Sequence, residues 1–183
     1  SLHEGQPNAP WDSNVETYAA LRFHVDSWRW ADVPFYVRAG KHMAMTATEV
    51  FVTLKPPPQR VFAGPKIKDA NYVRFRLGPH RVAIAVGALA KKPGVEMTGE
   101  FVELYVCNQG ADEVGGYERL ISAAMVGDTS LFAREDGVLE AWRIVDPVLG
   151  GRTRAHPYER GGWGPSAADR ILGDDHWLFP SDE

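Results

Sequence analysis

The chain has 183 residues; 24% of them are charged, 44% are hydrophobic, and the formal net charge at pH 7 is −4. This composition excludes a disordered chain, and no apolar run reaches the roughly 18 residues of a membrane helix. The weakly acidic balance argues against a nucleic-acid partner. The lone cysteine, Cys107, excludes an internal disulfide and is typical of a reducing compartment. We therefore predict a single cytoplasmic domain over residues 1–183.

The first two thirds of the chain are predicted to form a series of short strands. Residues 15–26 alternate apolar and polar side chains, which is the pattern of a half-buried strand. Tyr18, Leu21 and Val25 would also fit one face of a helix, but the alternation accounts for more positions, so a strand is predicted. Pro34 opens the next strand, where its missing N–H is least harmful. The further predicted strands are residues 34–39, 46–55, 71–77, 81–86 and 100–106.

The last third of the chain changes to a helical period. Apolar residues recur at helical spacing over residues 117–125, and Gly127 is expected to stop this helix. A second apolar stripe covers residues 138–145. We expect Asp136 to cap this second helix and Pro147 to end or kink it.

A third, short helix is predicted after Gly164-Pro165, because proline fits the first turn of a helix, and Gly173 is expected to close it. The strands are joined by short loops, which favours antiparallel pairing; Gly78-Pro79-His80, for example, is typical of a hairpin. Strands segregated from helices along the chain indicate the α+β class. The predicted architecture is a large, mostly antiparallel β-sheet with helices packed on one face.

Two kinds of site are rejected on their sequence context. Residues 162–167 fit the pattern G-x-G-x-x-A, but a dinucleotide-binding turn needs a strand before it and a strand–helix–strand unit around it. The six histidines are scattered without metal-ligand spacing, and His24 falls on the polar face of a predicted strand. The chain is therefore predicted to hold no catalytic residue, no bound cofactor and no metal.

The basic residues are better candidates for a ligand site. Arg38 and Lys41 flank Gly40 at the end of a predicted strand, and Arg76 shares one strand face with Arg74. A guanidinium and an ammonium group together bind phosphate well, since one offers a planar fork of donors and the other a point charge. Lys41, Arg38 and Arg76 are the candidate substrate-binding residues; the alternative for each is a solvated surface cation.

Several long segments resemble one known family. Residues 15–41, VETYAALRFHVDSWRWADVPFYVRAGK, resemble the segment that opens the C-terminal domain of glucose-6-phosphate dehydrogenases. The later landmarks of that family follow in the same order: KKPG, YERLISAAMVGDTSLFAREDGVLEAWRIVDPVL and YERGGWGPSAADRIL. These segments span nearly the whole chain. The α+β architecture derived above agrees with that domain.

The resemblance implies that the chain is one part of an oxidoreductase. In this family an N-terminal Rossmann domain holds NADP (NAD is the other option here) and the catalytic histidine. The C-terminal domain contributes the lysine of an RTGK-like motif, which matches Lys41, with Ala39 at the small polar position. Gly40 is then expected to let the backbone turn so that Lys41 reaches the phosphate of glucose 6-phosphate or a related sugar phosphate.

Two positions depart from the family pattern. Thr46 stands where many members have a second basic residue, and Gly78 stands where a glutamine is frequent near the sugar. These differences imply altered phosphate or sugar contacts. The resemblance further implies a homodimer or a dimer of dimers formed through this domain, and a chain that is inactive without the Rossmann domain. The alternative is a free-standing, non-catalytic module for dimerisation or for regulation by sugar phosphates.

Overall fold

A computed structural model describes residues 15–59, 61–62, 71–79, 81–108, 115–149 and 155–180. The chain divides into two compact units. The first contains the described residues up to Ala44 and those from Gly115 to Trp177; the second contains those from Met45 to Asn108 and those from Leu178. None of the helices in these residues is long and apolar enough to cross a membrane.

The first unit is built on a two-stranded antiparallel sheet of β1 (Tyr18–Phe23) and β2 (Phe35–Gly40). The strand predicted in residues 15–26 is therefore confirmed, and its helical alternative is wrong. Phe23 faces Phe35 across the sheet, and their rings stack at 5.2 Å. This contact closes the hairpin next to the connecting 3₁₀ turn at Trp28–Trp30.

Two helices follow later in this unit, α1 (Gly116–Met125) and α2 (Glu135–Val145). Gly127 stops α1 as predicted: its φ is 72°, and its N–H donates to the carbonyl of Ala124 at 3.2 Å. The prediction that Asp136 caps α2 is wrong. The helix begins one residue earlier, and the Asp136 carboxylate accepts hydrogen bonds from Arg134 and from the backbone of Gly137. Beyond Val145 the chain tightens into a 3₁₀ turn containing Pro147.

The third predicted helix is a 3₁₀ segment, Ser166–Ile171, which follows Pro165 and packs against β1. It is followed by Gly173 in the left-handed region at φ 63°. Leu172 at its end is buried, and the Leu172 carbonyl accepts a hydrogen bond from the Tyr36 hydroxyl at 3.3 Å. The same hydroxyl lies 3.0 Å from an Asp175 carboxylate oxygen, so the C-terminal segment is tied to β2.

The second unit is a four-stranded antiparallel sheet in the order β3-β4-β5-β6. Its strands are β3 (Thr48–Thr53), β4 (Tyr72–Gly78), β5 (Val82–Lys91) and β6 (Gly99–Asn108). All four occupy predicted strand segments, although β5 and β6 run longer than expected. The hairpin expected between β4 and β5 is confirmed by their antiparallel pairing, with His80 lying outside the described residues.

The two faces of this sheet differ in chemistry because side chains alternate along each strand. One face, called here the aliphatic face, carries apolar side chains from all four strands: Val50, Val52, Val73, Phe75, Val82, Ile84, Val86, Val102, Leu104 and Val106. The opposite face carries aromatic residues and two ion pairs. Nη1 of Arg76 lies 2.7 Å from Oε1 of Glu49, and Nη2 of Arg74 lies 3.3 Å from Oε1 of Glu103.

The α+β class and the antiparallel pairing are confirmed. The strands form two sheets rather than the one large sheet predicted, because β1 and β2 hydrogen-bond only with each other among the described strands. In the described part of the first unit, neither α1 nor α2 packs against β1 or β2. The packing of helices on one face of a larger sheet, and the single domain over residues 1–183, stay predictions.

Candidate functional site

Lys41 directly follows β2 and begins a turn over residues 41–44, called here the lysine turn. The Lys41 N–H donates to the carbonyl of Thr17 at 2.8 Å, just ahead of β1. The Lys41 carbonyl in turn accepts a hydrogen bond from the Tyr158 hydroxyl at 2.8 Å. The Lys41 side chain is exposed. The structure therefore holds the backbone of this residue on both sides and leaves its ammonium group in solvent.

The rest of the lysine turn is held by residues 158–164, called here the glycine-rich loop. Gly161 N–H donates to the carbonyl of His42 at 2.8 Å, and Ala44 N–H donates to the carbonyl of Gly162 at 3.0 Å. Nη2 of Arg160 lies 3.4 Å from Nδ1 of His42. His42 has a φ of 50°, which is unusual for a residue with a side chain and persists where the surroundings hold it.

This geometry corrects the role expected for Gly40. The left-handed residue that bends the chain is His42, while Gly40 is still the last residue of β2. Glycine is needed at position 40 for space, because a Cβ there would lie 2.7 Å from Cδ2 of Tyr18. The Tyr18 ring also packs on the ring of Tyr158, with centroids 5.3 Å apart.

The rejected dinucleotide pattern takes part in the same packing. Gly164 has a φ of 105°, and the ring of Tyr18 fills the space beside it. Burial raises the pKa of the Tyr18 phenol, and the nearby positive charge of Arg38 partly offsets this rise. Residues 162–167 thus open a 3₁₀ segment and accommodate a tyrosine ring.

Arg38 lies between two indole rings. Its guanidinium carbon is 4.9 Å from the ring centroid of Trp163 and 4.9 Å from that of Trp177. Ala20 faces Arg38 across the hairpin, and its small side chain leaves room for this stack. Burial lowers the pKa of the arginine, while the charge of Asp169 and the Tyr18 phenol act in the opposite direction. Substrate binding by Arg38 stays a prediction.

Arg76, the third candidate, belongs to the second unit. Its guanidinium is buried and forms the ion pair with Glu49, with the sulfur of Met45 at 3.9 Å. Ala83 stands opposite Arg76 and leaves room for its side chain. Substrate binding by Arg76 stays a prediction, as does binding by Lys41. The structure brings Lys41 and Arg38 together within one unit, at the end of one strand.

Sequence reasoning missed Tyr158, which holds the lysine turn, and the two tryptophans that stack on Arg38. Tyr158, Trp163 and Trp177 lie more than a hundred positions after β2 and have no periodic pattern that links them to it. The available signal was the density of aromatic residues and glycines in YERGGWGP. Within the described ranges, no group of three or more histidine, cysteine or carboxylate side chains could hold a metal ion.

Comparison with known proteins agrees with the sequence motifs. A family model described as "Glucose-6-phosphate dehydrogenase, C-terminal domain" matches residues 3–179, which confirms the resemblance. The chain is 39% identical over 177 residues to the glucose-6-phosphate 1-dehydrogenase of Aggregatibacter actinomycetemcomitans. That match covers 92% of this chain and 35% of the relative, so the chain spans about a third of the relative's length.

Solved structures show the same fold. The crystal structure of a glucose-6-phosphate 1-dehydrogenase from Mycobacterium avium matches with a TM-score of 0.81 and 38% identity, covering 96% of this chain and 38% of that one. A glucose-6-phosphate dehydrogenase in complex with its substrate glucose-6-phosphate matches with a TM-score of 0.66 and 28% identity, covering 90% and 35%. Both are similar to this chain over nearly all of its length.

Proposed function

Because this chain belongs to the family of glucose-6-phosphate dehydrogenase C-terminal domains, we propose that it contributes the phosphate-binding lysine to a glucose-6-phosphate 1-dehydrogenase. The substrate is glucose 6-phosphate and the product is 6-phosphogluconolactone, the first oxidation of the oxidative pentose phosphate route. The observation that carries the proposal is the lysine turn. It presents one exposed cation, Lys41, whose backbone N–H donates to Thr17 and whose carbonyl accepts a hydrogen bond from Tyr158.

The chemistry of Lys41 fits the phosphate end of this substrate. A phosphate monoester carries close to two negative charges at neutral pH and offers three acceptor oxygens. An ammonium group offers three donors and a point charge, and charge-assisted hydrogen bonds of this kind are about twice as strong as neutral ones. The fixed backbone limits the volume that the ammonium explores, which reduces the entropy lost on binding. Lys41 thus binds and orients the substrate and transfers no proton.

The oxidation itself needs a partner domain. The hydride at C1 of the sugar goes to a nicotinamide cofactor, NADP or NAD, held by an N-terminal Rossmann domain, and a general base there accepts the hydroxyl proton. None of the described residues of this chain is assigned to either task. The complete enzyme is proposed to be cytoplasmic.

The test uses a hybrid in which this chain replaces the matching third of the Aggregatibacter actinomycetemcomitans relative. Lys41→Ala is expected to lower kcat/KM for glucose 6-phosphate about 10- to 100-fold and to leave KM for the cofactor within about two-fold. The matched control is Lys92→Ala, since Lys92 is also exposed and lies in a turn of the second unit. The isolated chain is expected to reduce no NADP. Lys41→Ala kinetics within two-fold of the unchanged hybrid would show that Lys41 is only a solvated cation.

We also propose that the aliphatic face forms a subunit interface with a second copy of this chain. Its side chains are uncharged, and all except Val73 and Phe75 are exposed; Leu104 and Val106 are each 73% exposed and Ile84 is 48% exposed. A contiguous apolar surface of this kind marks an interaction site, and a two-fold axis lets the same face serve both partners.

Light scattering at tens of micromolar tests the interface. We expect a dimer for the unchanged chain and a monomer for Leu104→Lys, because the substitution places a charge within the proposed apolar contact. Val95→Lys is the control, since Val95 is 101% exposed and lies in the turn between β5 and β6. A monomeric unchanged chain contradicts this interface without affecting the assignment of Lys41.

A further inference from the structure

We propose that Tyr158 is a positioning residue for substrate binding, because its hydroxyl fixes the backbone of Lys41. This inference rests on the proposed function of Lys41 as the phosphate-binding cation. Tyr158 itself is not assigned any contact with substrate. It acts through the lysine turn, from a loop that lies more than a hundred residues later in the chain.

The Tyr158 hydroxyl lies at the junction of two chain segments. It is 2.8 Å from the Lys41 carbonyl, to which it donates, and 3.0 Å from the Thr17 carbonyl. The Thr17 carbonyl also accepts the N–H of Lys41 at 2.8 Å. The Tyr158 hydroxyl therefore contacts the backbone of both residues, Thr17 and Lys41, whose hydrogen bond starts the lysine turn. The Thr17 hydroxyl, at 3.4 Å, is the third oxygen beside it.

The tyrosine can hold this position because its ring is fixed by packing. The ring lies 5.3 Å from that of Tyr18, which is itself packed beside the backbone of Gly40 and of Gly164. The neighbouring backbone of the glycine-rich loop is hydrogen-bonded to the lysine turn, through Gly161 to the carbonyl of His42. A phenylalanine at position 158 keeps this ring packing and removes the hydroxyl alone.

Loss of the hydroxyl should act on the lysine turn because the turn is unfavourable by itself. His42 is held at φ 50°, a conformation that residues with a Cβ adopt only when neighbouring contacts over-determine it. Without Tyr158 Oη, the Lys41 carbonyl loses its donor, and the turn can relax toward ordinary backbone angles. The Lys41 ammonium then occupies its phosphate-binding position for a smaller fraction of the time. Substrate binding therefore weakens, while the rate of the chemical step is unchanged.

The experiment compares two tyrosine-to-phenylalanine variants in the hybrid enzyme described above. Tyr158→Phe is expected to raise KM for glucose 6-phosphate about 5- to 10-fold, with kcat and the KM for the cofactor within about two-fold. Tyr36→Phe is the matched control. It also removes a hydroxyl that ties β2 to the C-terminal segment, but the hydrogen-bond partners of that hydroxyl are Leu172 and Asp175, which lie outside the lysine turn.

A double variant separates positioning from a purely structural role. In a Lys41→Ala background, Tyr158→Phe is expected to add less than about two-fold, because there is no ammonium left to position. In the isolated chain, Tyr158→Phe is expected to speed hydrogen exchange of the Lys41 amide about 10-fold or more, while Tyr36→Phe leaves that amide unchanged.

The outcomes are distinct. If Lys41→Ala lowers kcat/KM but Tyr158→Phe leaves KM within two-fold, or if its effect persists in the Lys41→Ala background, the positioning role is wrong and the proposed function stands. If Lys41→Ala has no effect, the proposed function fails, and the role of Tyr158 fails with it. If both phenylalanine variants raise KM equally, the effect is general loosening of the first unit and the inference is again overturned.

Discussion

The ring of Tyr18 occupies the space in which a side chain at Gly164 would lie. A Cβ on Gly164 would clash with Cε2 of Tyr18 and come within 2.8 Å of the Tyr18 hydroxyl oxygen. The φ of Gly164, 105°, is also one that residues with a Cβ rarely adopt. Gly164→Ala is therefore expected to lower the free energy of unfolding by about 2–4 kcal/mol, measured by urea denaturation followed by tryptophan fluorescence.

The control for this substitution is Gly137→Ala. Gly137 lies inside α2, where a Cβ would meet nothing within 4 Å. Alanine is a better helix former than glycine, so this change is expected to leave stability unchanged or to raise it by up to about 1 kcal/mol. Equal stability of the Gly164→Ala and Gly137→Ala chains would contradict the close packing of Tyr18.

The stacked arrangement of Arg38 predicts that lysine cannot replace it. A guanidinium stacks on aromatic faces through its planar, delocalised charge, while an ammonium is strongly hydrated and has no plane. Arg38→Lys is expected to lower the free energy of unfolding by about 1–2 kcal/mol and to change the emission of the two indoles it separates. Arg22→Lys is the control, since Arg22 lies 5.8 Å above one ring, that of Tyr36. If Arg38→Lys and Arg22→Lys lower the free energy of unfolding equally, stacking between two indole rings adds no stability beyond that of a single ring contact.

The buried ion pair of Arg76 and Glu49 predicts a non-additive effect. The side chains are 9% and 5% exposed, so Glu49→Ala would leave a buried, uncompensated guanidinium and lower the free energy of unfolding by about 3–5 kcal/mol. The double change Glu49→Leu with Arg76→Met removes both charges and is expected to recover most of this loss. The exposed pair Arg143–Glu140 is the comparison, and Glu140→Ala should cost far less. Additive losses at positions 49 and 76 would refute the coupling.

Tyr72 predicts a loss of stability at high pH. Burial, together with the 2.6 Å hydrogen bond to Glu103, raises the pKa of Tyr72 to about 12 from its ordinary value of 10.0. Between these values the unfolded chain has released the phenol proton and the folded chain still binds it. The stabilisation is thus complete below pH 10 and is lost as the pH rises through about 12.

Near-ultraviolet absorbance of tyrosinate measures this titration in the folded chain. Tyr72→Phe should remove the ionisation step near pH 12 and flatten the fall in stability over the same range. An ionisation step near 12 that survives in Tyr72→Phe would assign the raised pKa to another tyrosine.

The order and type of the strands were predictable because each strand carries its own signal. Apolar and polar side chains alternate along β1, and apolar side chains recur at every second residue of β5, because side chains of an extended backbone point to opposite faces in turn. This pattern can be recognised within each segment alone. The stop of α1 at Gly127 is equally local, since it needs one residue that tolerates a left-handed backbone. The boundary of α2 was predicted less well, because Asp136 can accept hydrogen bonds either as a cap or within the first turn.

The candidate lysine was identified in the same way, from its place at the end of a strand and from its resemblance to a family motif. The glycine beside it was found but explained incorrectly. Its purpose depends on Tyr18, the residue opposite it across the hairpin, and on the chain bend at His42. No local pattern contains that information, because it concerns which side chain fills the space next to Gly40.

The sequence by itself determined the α+β class, the antiparallel strands, the family, and the position of Lys41, since periodicity and motif order are properties of neighbouring residues. Only the tertiary structure decided what holds Lys41 in place and what surrounds Arg38. Those contacts join segments 117 residues apart, as between Tyr158 and Lys41. Such contacts depend on ring packing and on hydrogen bonds to backbone carbonyls. Any suitably placed side chain can donate to a carbonyl, so these contacts produce no periodic pattern in the sequence.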